Sequence, residues 1–480
     1  MNRPRAVFGF VALVAALQAC SLAPRYHAPS TPTPSAAYKE LGEWKPAQPA
    51  DALPRGRWWT LFGDATLNVL EDKVGSANQD LKAAYARLQQ ARAAVRLARA
   101  DYFPTITAGA GLTRTRPSSN APRAGATLPQ IYNDYTLEAD VSYEIDVWGR
   151  VKSALDAAHA QAQASAADLA AVDLAAHAEL ASDYFMLRGA DAGQALLDQT
   201  VAAYARALAL TENRYRGGIA AIADVDQAQT QLESARTQAA EQRLARAQLE
   251  HAIAVLVGEP APSFHIEPLP LSAEPPALDP GAPSELLERR PDVAAAERRV
   301  AAANAEIGVA RAAWFPVFGI GASAGWESAH AASWIDAPSR LWSLGPSAVL
   351  TVFDGGRRRA LSQQARGAYD EAVADYRSTV LEAYREVEDE LAAQRQLAQE
   401  QASQRAAVAA AQRSLAQAEQ RYRGGIASNL EVVFAQNALL QAQSSALNIL
   451  TRRFSAAVQL VKALGGGWNR AELADAAAAR

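Results

Sequence analysis

The sequence is short of three things: an excess of charge of either sign, cysteine, and long apolar runs. It has 47 Lys and Arg against 51 Asp and Glu, a formal net charge of −4 over 480 residues, and so offers no electrostatic footprint for a nucleic-acid partner. One cysteine, Cys20, excludes an internal disulfide framework. Hydrophobic residues make up 50% of the chain, too many for a disordered polymer. Yet beyond the first 20 residues no run approaches the ~18 apolar residues of a membrane-spanning helix, which excludes a polytopic helical membrane protein. There is no Gly-x-x-x-x-Gly-Lys phosphate loop, so any energy source lies outside the chain. His27, His159, His177, His251, His265 and His330 lack metal-ligand spacing and read as surface or packing residues, so no metal is expected. Gly109-x-Gly111 and Gly319-x-Gly321 lack the rest of a dinucleotide fingerprint and fall inside strand pattern, where close backbone packing accounts for them.

What is present begins with an export signal. Arg3 and Arg5 give a cationic start, Ala6 to Leu17 an apolar segment too short to span a bilayer, and small residues follow. Leu17-Gln18-Ala19-Cys20 resembles the lipobox of bacterial lipoproteins, although Gln18 is an uncommon residue at its place. Residues 1–19 are therefore expected to be a signal peptide, and Cys20 to carry diacylglycerol and an N-acyl chain, with no other cofactor. The competing reading is a free thiol in a discarded signal. Acyl chains contribute ~0.8 kcal/mol per buried methylene, enough to hold the protein on a membrane. Ser21, where a lipoprotein retained at the inner membrane has aspartate, is compatible with the outer membrane. Residues 20–63 read as a lipidated tether, rich in Pro, Ala and Ser and extended to about residue 57. It ends in Arg57-Trp58-Trp59-Thr60-Leu61-Phe62-Gly63-Asp64, whose paired indoles read as a strap packed on the body.

The rest of the chain is a duplication. Ala98-Arg99-Ala100-Asp101-Tyr102-Phe103-Pro104 recurs as Ala310-Arg311-Ala312-Ala313-Trp314-Phe315-Pro316, and Arg214-Tyr215-Arg216-Gly217-Gly218-Ile219-Ala220 recurs identically at Arg421 to Ala427. The first repeat is placed at 64–257 and the second at 284–467. A proline-rich connector, 258–283, separates them, and a tail, 468–480, follows. Each repeat opens with a heptad helix: Leu81, Leu88, Val95 and Tyr102, then Val293, Val300, Ile307 and Trp314, with alanines in the second seam. Pro291 and Asp292 mark the start of the second helix.

Strand pattern follows. From Tyr135 to Val147 the odd positions are apolar or aromatic, and the even ones include Glu138, Asp140, Glu144 and Asp146. Ile106, Ala108, Ala110 and Leu112 alternate likewise, as do Phe318 to Trp326 and then Trp342, Leu344, Ala348, Leu350 and Val352. These predict hairpins at 105–147 and 317–354, with apolar faces toward lipid and the four acids toward water; an ordinary soluble sheet is the alternative. Four strands cannot close a barrel, so strands in a membrane imply an oligomer. Helical hairpins at 150–257 and 356–464 come next, each opening with a helix of roughly 100 Å and turning at Gly217-Gly218 or Gly424-Gly425. The glycines account for a turn, but a turn does not demand Arg214, Tyr215, Arg421 and Tyr422 beside it. Arg357, Arg358 and Arg359 open a helix at the end where positive charge is unfavourable. They are read either as a solvated turn or, with Arg150 and Lys152, as a rim contacting anionic headgroups.

Together these features resemble the outer membrane factor family, the TolC-like efflux ducts, and especially its NodT-type lipoprotein branch. The resemblance rests on Trp58-Trp59-x-x-Phe62-x-Asp64-x-x-Leu67, Leu287-x-Arg289-Arg290-Pro291-Asp292-Val293, the Phe-Pro junctions, Phe353-Asp354-Gly355-Gly356-Arg357 and the two tips. It implies a mainly α protein with a membrane β-barrel portion: a homotrimer whose four strands per protomer make one twelve-stranded barrel, continued by an α-barrel of long hairpins. It further implies passive conduction across the outer membrane, with a periplasmic adaptor (membrane fusion protein) and an inner-membrane pump, commonly proton-driven, as partners. The tips Arg214, Tyr215, Gly217, Gly218, Arg421, Tyr422, Gly424 and Gly425 would dock the adaptor. By the same resemblance Tyr422, its acidic partner Asp224 and an acid ring at Glu431 would close the inner end. Ala427 stands where a gating arginine is usual, and Phe434, in place of an aspartate, would form an apolar ring. A periplasmic coiled-coil adaptor or scaffold lipoprotein would share the anchor and heptads but has no use for the strands. An exported enzyme would need a clustered site that the sequence does not offer.

Overall fold

The computed structural model describes residues 22–31, 38–41, 56–116, 131–271, 273–278 and 286–468; the signal segment, Cys20, the 117–130 loop and the tail from 469 lie outside them. The first repeat forms α1 (Ala65–Ala77), α2 (Gln79–Ala100), β1 (Thr105–Thr115), β2 (Tyr132–Ile145), α3 (Arg150–Arg216) and α4 (Ile222–Leu256). The second forms α5 (Leu286–Arg289), α6 (Pro291–Ala312), β3 (Val317–Ser328), β4 (Arg340–Val349), α7 (Arg357–Arg423) and α8 (Asn429–Ala463). The long helices α3 and α7 both have 67 residues and the return helices α4 and α8 both have 35, so the duplication is kept to the residue in the hairpins. Helix α1 is not marked by the heptad reading. It is set off from α2 by Asn78, whose Oδ1 accepts from the Asp80 and Leu81 amides and whose Nδ2 donates to the Leu256 carbonyl.

The chain divides into two compact units, each drawing on both repeats rather than coinciding with one. The first holds the strands and the flanking helix ends, 88–164 and 296–376, with the described residues up to Ser30. Its sheet runs β1-β2-β3-β4, antiparallel throughout. The register aligns the alternation: Ile106, Val141, Ala322 and Leu344 form one row of the apolar face, and Ala108, Ala139, Ala324 and Trp342 the next. Trp342 is 78% exposed and Ile106 68%, so this face is a bare apolar surface in the single chain. The strands end at Ile145 and Val349, short of the expected 147 and 354. β4 stops where its partner β3 begins, at the Val317–Val349 pair, and past each strand end an aspartate is committed to the next helix. Asp146 accepts from the Val151 and Lys152 amides. Asp354 accepts from the Gly356 and Arg358 amides and from the Arg358 guanidinium at 2.7 Å.

Helices α2 and α6 are sequence equivalents in unequal surroundings. In α6, Val300, Ala302, Ala305 and Ile307 are all buried, whereas in α2 burial fades after Leu88 and Leu97 is 73% exposed. Part of the cover on α6 comes from the chain's beginning. The Leu22 carbonyl accepts from Arg311, the Pro24 carbonyl from Asn304 Nδ2, and Tyr26 donates to Glu297. A Cβ at Gly308 would lie 2.6 Å from both Ala23 Cβ and Ser153 Oγ, so only glycine admits this segment. The start of the expected tether is therefore docked, through backbone carbonyls that no residue pattern announces.

The second unit holds the rest of both helical hairpins, 165–295 and 377–480, with 31–87. The strap packs here: Trp58 and Trp59 are 2% and 5% exposed, Phe62 meets Trp58 edge-on, and Phe185 packs on Phe62 and stacks on Phe454. Burying each large ring contributes on the order of 2–3 kcal/mol. Arg290, from the Arg-Pro-Asp motif, is buried between Asp292, Glu386 at 2.6 Å and the Ala463 carbonyl. It ties the start of α6 to both helices of the second hairpin.

Candidate functional site

The two hairpin tips have the same backbone. Ile219 and Ala220 donate to the Arg214 carbonyl and Gly218 to that of Tyr215; Ile426, Ala427 and Gly425 repeat the pattern on Arg421 and Tyr422. This is a glycine-terminated helix end, with Gly218 at φ +74° and Gly425 at φ +70°, where a side chain is strained. Gly217 and Gly424 need no such conformation.

The side chains then diverge. Arg214 reaches across to the second hairpin and lies over the Tyr422 ring at 4.6 Å. Arg421 stays within its own hairpin and pairs with Glu431 at 3.1 Å. Asp224, the first-repeat equivalent of Glu431, accepts from the Ala221 amide at 3.2 Å and caps α4. In the single chain Tyr422 therefore meets Arg214 rather than Asp224, because the helix start claims the carboxylate. Phe434 is 66% exposed and Ile219 and Ile426 more so, leaving apolar surface beside the turns. Just above, Tyr204 donates to Asn437 at 3.1 Å. A cavity of about 340 Å3 opens between the hairpins, lined by Tyr204, Arg214, Ala228, Tyr422, Val432 and Val433.

At the sheet, Glu138 and Asp140 stand on the polar face, in register with Gly109 and Thr107. Glu144 is on the same face but takes Arg150 in a two-pronged ion pair at 2.7 and 2.8 Å, and Asp146 lies beyond the strand as a helix cap. Of the basic triplet, Arg358 lies over Trp314 and is neutralised by Asp354, which offsets the unfavourable charge at the α7 start; Arg357 and Arg359 are exposed.

One polar cluster has no sequence signal. His177 is buried under the stacked Trp59 ring at 4.3 Å, with Nδ1 2.5 Å from Glu71 Oε2. Burial pushes the Glu71 carboxyl up to about 7. Burial opposes charge on His177, but the carboxylates of Asp173 and Glu71 outweigh it and raise the imidazole to about 9. The partners are 106 residues apart in sequence, so spacing could not have paired them.

Comparison with known proteins gives a concordant picture. The family model described as outer membrane efflux protein matches residues 72–259 and 282–466. The chain is 35% identical over 475 residues to the outer membrane protein OprJ of Pseudomonas aeruginosa, covering 98% of this chain and 97% of that one. It is 34% identical to the antibiotic efflux pump outer membrane protein ArpC of Pseudomonas putida, over 94% of this chain and 93% of that one. The solved structure of the outer-membrane channel OprN matches with a TM-score of 0.83 at 29% identity, over 94% of this chain and 100% of that one.

Proposed function

The chain belongs to the outer membrane efflux protein family and is an efflux channel of the outer membrane, and on that premise we propose that it is the exit duct of a three-component export system. Three copies close one barrel. Small molecules delivered by an inner-membrane pump, proton-driven, pass through a periplasmic adaptor into the duct and move down their gradient. The chain conducts and does not catalyse. The observation that carries this reading is the four-stranded sheet: one face is apolar and bare, and among the described residues β1 and β4 each keep an unpaired edge, which lipid does not tolerate. The exposed flank of α2, against the covered flank of α6, is a second surface that a neighbouring copy would cover. Lipid modification of Cys20 is part of the same proposal, supported by the docking of Leu22 at Arg311, six residues before β3 begins at Val317. In this reading Glu138 and Asp140 face water, and Tyr422, Asp224, Glu431 and Phe434 close the inner end until the adaptor engages the tips. Reconstitution in a planar bilayer tests it: discrete pores are expected, and their absence with the tips loosened by substitution overturns the duct.

A further inference from the structure

The tip motif occurs twice per chain in one backbone conformation, yet its two copies are used unequally. Arg214 and Tyr422 meet and are half-buried, while the complementary halves, Tyr215 and Arg421, are exposed, with Tyr215 keeping 45% of its surface. The contact is directional, with arginine on the first hairpin and ring on the second. A directional contact repeated by rotation closes into a ring, and each member then carries a used half and an open half. That is the distribution seen here: the second hairpin offers an arginine, and the first hairpin offers a ring.

We propose that Arg421 of one protomer lies over the ring of the partner subunit's Tyr215, repeating between chains the contact that Arg214 and Tyr422 make within one. Glu431 is the alternative partner that holds Arg421 when the ring of tips is parted. The two repeats differ in the way this requires. Asp224 is occupied by its helix cap, so Arg214 is released to reach across; Glu431 makes no cap hydrogen bond and captures Arg421 at 3.1 Å. Both alternatives are weak. The Arg421–Glu431 pair is exposed, at 55% and 45%, and is screened by salt; a cation on a tyrosine face has comparable strength and depends less on ionic strength. A contest between such contacts reverses readily, and raising salt shifts it toward the inter-chain contact.

The inference rests on the assembly of several copies proposed above, and the test separates the two. Differently tagged Arg421→Cys and Tyr215→Cys chains are co-expressed and treated with a short bifunctional thiol reagent; Cys20 is the only native cysteine. A band carrying both tags is expected, and absent when either variant is paired with wild type. Oligomers that assemble without giving the band overturn the clasp and leave the assembly standing, whereas chains that run as monomers overturn both. In bilayers, Tyr215→Leu is expected to raise open probability about two- to five-fold per contact, the ratio an exposed cation–π contact is worth. Tyr215→Phe keeps the ring face and should raise it less; equal effects from the two overturn the proposal.

Discussion

His177 and Glu71 show how much a single residue's surroundings can add to a neutral-looking sequence. His177 binds a proton more tightly folded than unfolded, since its pKa is raised from 6.5 to about 9. Folding then draws on a bound proton: this contribution is complete below about pH 6.5 and is lost as pH rises through 9. Glu71 has the same sign over a lower window, from its ordinary 4.5 to about 7. The helical unit should therefore lose stability between pH 7 and 9, by at most about 1.4 kcal/mol per pH unit for the one proton. Thermal melts followed by circular dichroism should show the slope in the wild type and its loss in His177→Asn. An unchanged slope in the variant would assign it elsewhere.

At the scale of elements, the long hairpins were legible almost to the residue. Their signals are local: a glycine pair at each turn and, in the second return helix, the seven-residue spacing of Val433, Leu440, Leu447, Phe454 and Val461. The strands were legible in face but not in length. Period two fixes which side of Tyr135 or Trp342 is apolar, whereas the end of a strand is decided by competition for backbone groups. Asp146 looked like one more polar-face residue, and instead it satisfies two amides that a starting helix leaves free. Asp146→Ala should cost about 1 kcal/mol and fray the first turn of α3, seen as faster amide exchange at Val151 and Lys152. Full protection at both amides in that variant would show that another group caps the helix. The tip residues were also legible as a set, but their pairing was not. Which carboxylate an arginine meets depends on whether a helix start has already taken it, as it has taken Asp224 and not Glu431.

At the scale of the whole molecule, the duplication is exact in the hairpins and broken in the environment. Equivalent helices α2 and α6 differ in cover, and equivalent arginines differ in partner. A duplicated chain that closes on other copies of itself has this property, because the covered flank of one repeat supplies the template for the bare flank of the other. The anchor is tested at this scale. Wild-type protein from cells grown with labelled palmitate should carry the label, and Cys20→Ala should lose it while still forming pores. Label retained in the variant would move the modification to another residue.

The docked segment from Leu22 to Tyr26 would give the proposed anchor a mechanical character. Only one residue separates Cys20 from Leu22, whose carbonyl is held by Arg311. Two residues of extended chain reach no more than about 7 Å. Lipid on Cys20 would thus behave as a rivet rather than a leash, fixing how far the end of α6 stands from the bilayer instead of merely keeping the protein nearby.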